Sequence, residues 1–137
     1  METKSSADPE AVLVVDDDSD VRYSCAQVLR TAGYRVIEAE DGLAALALLK
    51  SSDIGAVLLD VFMPGLDGLS LLDQIEHPPP VALLTAHTYD NAIVVRRSKI
   101  AMYMQKPINP PALLEAVAQM FTGDDQSSIQ PSWALPQ

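Results

Sequence analysis

Asp16, Asp17 and Asp18 follow one apolar run of this sequence, Asp60 follows a second, Thr85 closes a third, and Lys106-Pro107 follows a fourth. Carboxylates gathered within a few ångströms repel one another, since two unit charges roughly 4 Å apart interact by about 4 kcal/mol at an effective dielectric of about 20. A site that unites Asp16, Asp17 and Asp60 therefore needs positive charge. A hard divalent cation with oxygen ligands meets that need, and Mg²⁺ typically takes one or two carboxylates together with waters and a phosphate oxygen. Lys106 adds a point charge able to hold a phosphate or an aspartyl phosphate. The sequence offers no Ser-His-Asp set, no glycine-rich phosphate loop and no Cys/His metal spacing. What it does offer suits phosphoryl transfer to a carboxylate, which needs an in-line nucleophile and cations over the equatorial oxygens more than it needs a base. Asp60 is the natural nucleophile, and Asp16 with Asp17 the natural metal pair.

Those residues meet only if the apolar runs before them are neighbouring strands that run the same way. Short runs rich in Val, Ile and Leu do alternate with segments of helical period. Ala11 to Val15 is a predicted strand. Val21, Cys25, Val28, Leu29 and Ala32 then share one helical face, and Gly33 supplies the stop. Tyr34 to Ala39 is a second strand, and Asp41-Gly42 leads into a helix over Leu43 to Lys50. Ala56 to Leu59 is a third strand, which delivers Asp60. Val61 to Asp67 contains Pro64 and Gly65 and is irregular, whereas Gly68 to Glu76 carries Leu69, Leu72 and Ile75 at helical spacing. Pro78, Pro79 and Pro80 break that helix. Val81 to Leu84 is a fourth strand, Asp90 to Arg97 a helix, Met102 to Gln105 a fifth strand, and Pro110 to Phe121 a final helix opened by proline. Apolar runs without strict alternation imply a parallel sheet covered on both faces. The expected fold is α/β and flavodoxin-like: a doubly wound five-stranded parallel sheet, (βα)5, in a single domain. Ligands of such sheets bind beyond the carboxyl ends of the strands, near the switch point.

Composition narrows the function classes. The net charge of -10, from 19 acids against 9 bases, disfavours direct contact with nucleic acid or an anionic membrane. The longest apolar run, Leu43 to Leu49, is far short of the roughly 20 residues a membrane span needs. The polar residues 1-10 lack the apolar stretch of a secretory signal, so a cytoplasmic location is expected, with 1-10 as a flexible flank and 123-137 as a tail or the start of a linker. The domain is expected over 11-122, and the 15 residues beyond it are too few for a DNA-binding module. The lone Cys25 reads as a buried structural residue, and Met102, Met104 and Met120 as core filling.

VLVVDDD at 12-18, LLDVFMPGLDG at 58-68, LLTAH at 83-87 and YMQKPI at 103-108 together resemble the response-regulator receiver domain, in that family's order and nearly its spacing. The resemblance covers about residues 11 to 122. It implies that Asp60 accepts a phosphoryl group from a phosphohistidine, on a sensor histidine kinase or a histidine phosphotransfer protein, in a Mg²⁺-dependent reaction. Asp16, Asp17, Asp60 and the backbone carbonyl of Phe62 would hold the metal. Thr85 corresponds to the switch hydroxyl, Ala86 to the small residue beside it, Lys106 to the phosphate-pairing lysine, and Tyr103 to the aromatic switch. Together these would alter the face formed by the fourth helix, fifth strand and last helix for protein-protein output. The resemblance further implies a cis Lys106-Pro107 peptide, an unknown downstream protein, a homodimer formed on phosphorylation as one option, and no enzymatic turnover beyond self-catalysed phosphorylation and dephosphorylation.

Plainer roles stand beside these. Asp18 or Ser19 caps the first helix, Asp67 and Gly68 make a turn and helix start, and Tyr103 alone is a half-buried aromatic. Arg96, Arg97 and Lys99 form a basic cluster that reads as a solvated face, and Trp133 belongs to the tail. Phe62 and His87, two residues beyond Asp60 and Thr85, occupy positions that in the family this sequence resembles border the path of the water attacking the phosphoryl group, so both are candidate modulators of its lifetime. Two alternatives remain. One is a pseudo-receiver that serves as a scaffold without phosphorylation. The other is a phosphohydrolase of the haloacid-dehalogenase type, in which Asp16, Asp18 and Asp20 would alternate as nucleophile and acid, although no cap domain is present.

Overall fold

The computed structural model describes residues 10-85 and 97-122. The N-terminal flank up to residue 9, Ala86, His87, the expected helix from Asp90 as far as residue 96, and the tail with Trp133 lie outside the described residues. Strands β1 (Ala11–Val15), β2 (Val36–Ala39), β3 (Ile54–Asp60), β4 (Val81–Thr85) and β5 (Met102–Gln105) form one sheet in the order β2-β1-β3-β4-β5. Every pairing is parallel. Among the described residues, helices α1 (Ser19–Thr31), α2 (Gly42–Ser51), α3 (Gly68–Asp73) and α4 (Pro110–Thr122) flank it, with a short 3-10 turn at Arg97–Lys99. This is the expected doubly wound, flavodoxin-like α/β arrangement.

Side chains of a strand point alternately to opposite faces, and here that alternation builds two separate apolar layers. Leu13, Val15, Val57, Leu59 and Leu83 pack with Ala45 of α2 and with Leu71 and Leu72 of α3. Val12, Val14, Leu58, Leu84 and Met104 pack with Leu29 of α1 and with Leu113 and Val117 of α4. Leu13, Leu58, Leu59, Leu83 and Leu84 are fully buried, each removing apolar surface from water for about 1.5–3 kcal/mol. From β1 the chain passes to β2 on one side and returns to β3 on the other, which leaves a crevice beyond the carboxyl ends of β1 and β3. No helix among the described residues is long and apolar enough to cross a membrane.

Several boundaries differ from the sequence expectation for local reasons. β2 begins at Val36 rather than Tyr34, because the Tyr34 N–H is spent on the carbonyl of Leu29 at the end of α1 (3.0 Å) and its ring stacks on Phe121 at 5.7 Å. β3 is longer than expected and takes in Ile54, Gly55 and Asp60 itself. β4 likewise extends through Thr85. α3 stops at Asp73, three residues early, where Gln74 N and Ile75 N turn back to Leu71 O and Leu72 O in tightened bonds ahead of the three prolines. Ala32, expected on the buried face of α1, is its exposed C-cap, and Ala26 is buried instead. Gly33 does end α1, in a backbone conformation with φ 100° that side chains disfavour. Cys25, Met102, Met104 and Met120 are all buried. The sequence places Arg97 at the end of a helix, whereas it opens the 3-10 turn.

One close approach ties this frame to the chemistry. A Cβ added at Gly68 would lie 2.3 Å from the carbonyl oxygen of Asp60, and Gly68 N–H also bonds the carbonyl of Val61 at 3.0 Å. Gly68→Ala must therefore displace backbone at the end of β3, and we expect a loss of about 1–3 kcal/mol. The measurement is denaturant unfolding, read as a lower midpoint with an unchanged slope. A midpoint equal to wild type would mean that the loop gives way freely.

Candidate functional site

Asp16 leaves β1 with its side chain wholly buried. One carboxylate oxygen accepts the Asp18 N–H at 2.9 Å, and the other accepts the Lys106 ammonium at 2.9 Å. Asp60, the last residue of β3, is 5% exposed and receives the same ammonium at 3.2 Å. Asp17 is exposed, yet carboxylate oxygens of Asp16, Asp17 and Asp60 lie within 4.8 Å of one another. The crevice between β1 and β3 thus gathers three carboxylates around one ammonium, a local excess of two negative charges. Oxygen donors alone, one of them facing solvent, suit a hard cation that keeps part of its water. The Asp18 side chain points elsewhere: it accepts the N–H groups of Asp20 and Val21 and caps α1, as the plainer reading holds. Asp67 does the same for α3 through the N–H of Ser70.

The crowding is written into the titration of the group at its centre. Burial, followed by the charge of Asp16, pushes Asp60 from 3.8 up to about 6, although Lys106 pulls in the opposite direction and limits the rise. Burial disfavours the Lys106 ammonium, but its hydrogen bond to Asp16 and the charge of Asp60 outweigh that and hold its pKa above the ordinary value. Burial, with the charge of Asp16, also pushes the Cys25 thiol up to about 11, which keeps it a protonated structural residue.

The remaining sequence candidates fall around this centre. Thr85 is buried at the tip of β4, and its carbonyl takes the Lys106 N–H at 2.7 Å. Asp60 pairs with Leu84 in register, so Thr85 lies one residue beyond the neighbour of Asp60. Tyr103 is half-buried on β5 opposite Leu83, two residues before the partner of Thr85, so both side chains leave the same face of the sheet. Phe62 sits two residues past β3 with 61% of its surface exposed. The Lys106-Pro107 peptide is cis, as expected. Lys99, expected on a solvated face, donates its ammonium to the carbonyl of Leu72 at 2.8 Å.

Sequence reasoning passed over Arg22, which donates to the carbonyl of Asp16 at 2.8 Å and is held by Glu38 of β2. The signal was Glu38 itself, a charge in the short strand VIEA that demands a partner.

The perturbed carboxyl predicts a pH dependence in metal-free protein. Folded Asp60 keeps its proton up to about pH 6, whereas the unfolded residue releases it near 3.8. The folded state therefore binds more protons in that window, and the Asp60 contribution to stability falls as pH rises through it. Asp60→Asn removes the charge, so relative to wild type it should gain about 1–3 kcal/mol between pH 4 and pH 7. Chemical denaturation in EDTA at several pH values measures this; a wild-type-to-variant difference that stays constant with pH would contradict it.

Comparison with known proteins agrees with this architecture. The family described as "Response regulator receiver domain" matches residues 12–118. The DNA-binding transcriptional regulator NtrC of Salmonella typhimurium is 40% identical over 111 residues, which cover 78% of this chain and 23% of that protein. The regulatory protein VanRc of Enterococcus gallinarum is 36% identical over 116 residues, covering 82% of this chain and 49% of that one. The chain thus spans from about a quarter to about half the length of the curated relatives it matches. Among solved structures, a CheY-like receiver domain protein of Methanospirillum hungatei superposes with a TM-score of 0.75 at 30% identity, over 83% of this chain and 95% of that one. With the family matched over most of its length and the fold shared with solved receivers, this chain belongs to the response-regulator receiver domain family.

Proposed function

We propose that Asp60 accepts a phosphoryl group from the phosphohistidine of a sensor histidine kinase or histidine phosphotransfer protein, and that the domain passes the event on by changing its surface. The observation that carries this reading is the Lys106 ammonium, held 2.9 Å from Asp16 and 3.2 Å from Asp60 beside a third carboxylate. In the transfer an Asp60 oxygen attacks phosphorus in line, the P–N bond breaks, and its electron pair stays on the departing imidazole nitrogen. The carboxylate becomes an acyl phosphate. Negative charge moves outward onto the phosphoryl oxygens, within reach of the flexible Lys106 ammonium. Asp16, Asp17 and Asp60, with the backbone carbonyl of Phe62, would hold Mg²⁺, which when bound supplies positive charge against the transferring phosphoryl oxygens.

Thr85, buried at the tip of β4, would supply a hydroxyl to the new phosphate, and Tyr103, on the same face of the sheet, would be the aromatic that responds. Output through protein contact, on a face that includes β5 and α4, follows from that pair. The domain turns over no separate substrate in this reading, and it belongs in the cytoplasm with its kinase.

The test uses purified protein, Mg²⁺ and acetyl phosphate, with modification read by intact mass. Wild type should be phosphorylated and Asp60→Asn should not. Equal labelling of the variant would relocate the nucleophile, and no labelling of either would favour a scaffold role. The exposed ring of Phe62, two residues past the acceptor, supports a second expectation: it shields the acyl phosphate from water. Phe62→Asn should shorten the phosphoprotein half-life by about two- to tenfold, a barrier change of up to about 1.4 kcal/mol. Decay followed after removal of the donor checks this, and an unchanged half-life removes Phe62 from the account.

A further inference from the structure

The Asp16-Asp17 turn has one support that comes from a side chain on another element and falls on neither carboxylate. Arg22 Nη1 donates to the main-chain oxygen of Asp16 at 2.8 Å, while Arg22 Nε donates to Glu38 Oε1 at 3.3 Å. The other oxygen of Glu38 takes Arg30 Nη1 at 3.1 Å, and Arg30 also donates to the carbonyl of Val36 at 3.2 Å. The Arg22 side chain is 17% exposed and that of Glu38 27%, so the pair is sheltered between α1 and β2 rather than waving in solvent.

We propose that Arg22 is a positioning residue for cation binding by Asp16 and Asp17; this deepens the reading of the site given above and rests on it. The carbonyl of Asp16 and the N–H of Asp17 belong to one planar peptide. A donor that fixes the direction of that carbonyl therefore fixes the plane from which the Asp17 side chain departs. Asp16 is already restrained at its other polar atoms: its N–H by Ala39 O at 3.2 Å, and its carboxylate by Asp18 and Lys106. Asp17 is the exposed member of the cluster and depends more on how its peptide is held. A planar guanidinium suits the task because its fork meets Glu38 and the carbonyl at once, whereas an ammonium is a single point. Glu38 neutralises the guanidinium, so the contribution of Arg22 is orientation of the turn more than a change in the charge of the site.

Isothermal titration of unphosphorylated protein with MgCl₂ reads the effect directly, with no reaction required. Arg22→Met keeps an apolar stem and removes every donor; it should raise the Mg²⁺ concentration for half-saturation by about tenfold or more, as loss of outer-shell support to metal ligands typically does. Arg22→Lys should fall between it and wild type. In acetyl phosphate assays the Mg²⁺ requirement of Arg22→Met should rise while the rate at saturating Mg²⁺ stays near wild type, the signature of lost binding rather than lost chemistry. Titrations of Arg22→Met and wild type that coincide would overturn the inference, and so would a lowered melting temperature with unchanged Mg²⁺ affinity. Should Arg22→Met fail to fold, Arg22→Lys and Glu38→Gln carry the same test: a shift to weaker Mg²⁺ binding supports the role, and no shift ends it. A wild type that binds no Mg²⁺ at all would fail the parent reading, and this one with it, a result distinct from the others.

Discussion

A single ammonium shared between two buried carboxylates holds this site in its charged form. Without Lys106, Asp16 and Asp60 would face each other across the crevice with little water to screen them. An isolated buried charge is costly enough that groups normally give up or take a proton to avoid it. Here the shared cation is only a partial remedy. Burial and the charge of Asp16 still push the Asp60 carboxyl up to about 6. Further positive charge near the acids favours the ionised form.

The sheet is built to deliver this arrangement. The parts of the centre come from the tips of β1, β3, β4 and the residue after β5, and parallel pairing puts all those tips at one edge. The register is specified because the central strands β1, β3 and β4 are buried on both faces, with alternate residues from Ala11 to Val15, Ala56 to Leu59 and Val81 to Leu84 committed to different layers; a slip by one residue would move those side chains to the wrong layer. Precise placement of a few polar groups is thus an outcome of apolar packing on both sides of the sheet.

Much of this could be read without coordinates, and the reasons differ from element to element. The apolar run at Ala11–Val15 gave its strand boundaries directly, since Glu10 and Asp16 flank it, and the strand at Met102–Gln105 gave its end through Lys106-Pro107. The acids and Lys106 were legible because each stands immediately after such a run, and strand ends converge in a doubly wound sheet. Boundaries failed where tertiary contact outvoted local pattern. Tyr34 looks like a strand residue but closes a helix and stacks on Phe121, and Ile75 continues a helical period that the backbone has already abandoned. Arg22 was missed because its partner is a main-chain carbonyl, which leaves no mark in a sequence. Glu38 alone pointed toward it.

The tight seating of Gly68 against the carbonyl of Asp60 has a mechanical meaning. The backbone at Asp60 is pinned from two directions, by the start of α3 and by the bond from Val61 N to Leu84 O at 3.1 Å. A segment held that way behaves as an anvil. A shift of this backbone has to move either the start of α3 or the edge of β4, since both are seated directly on it.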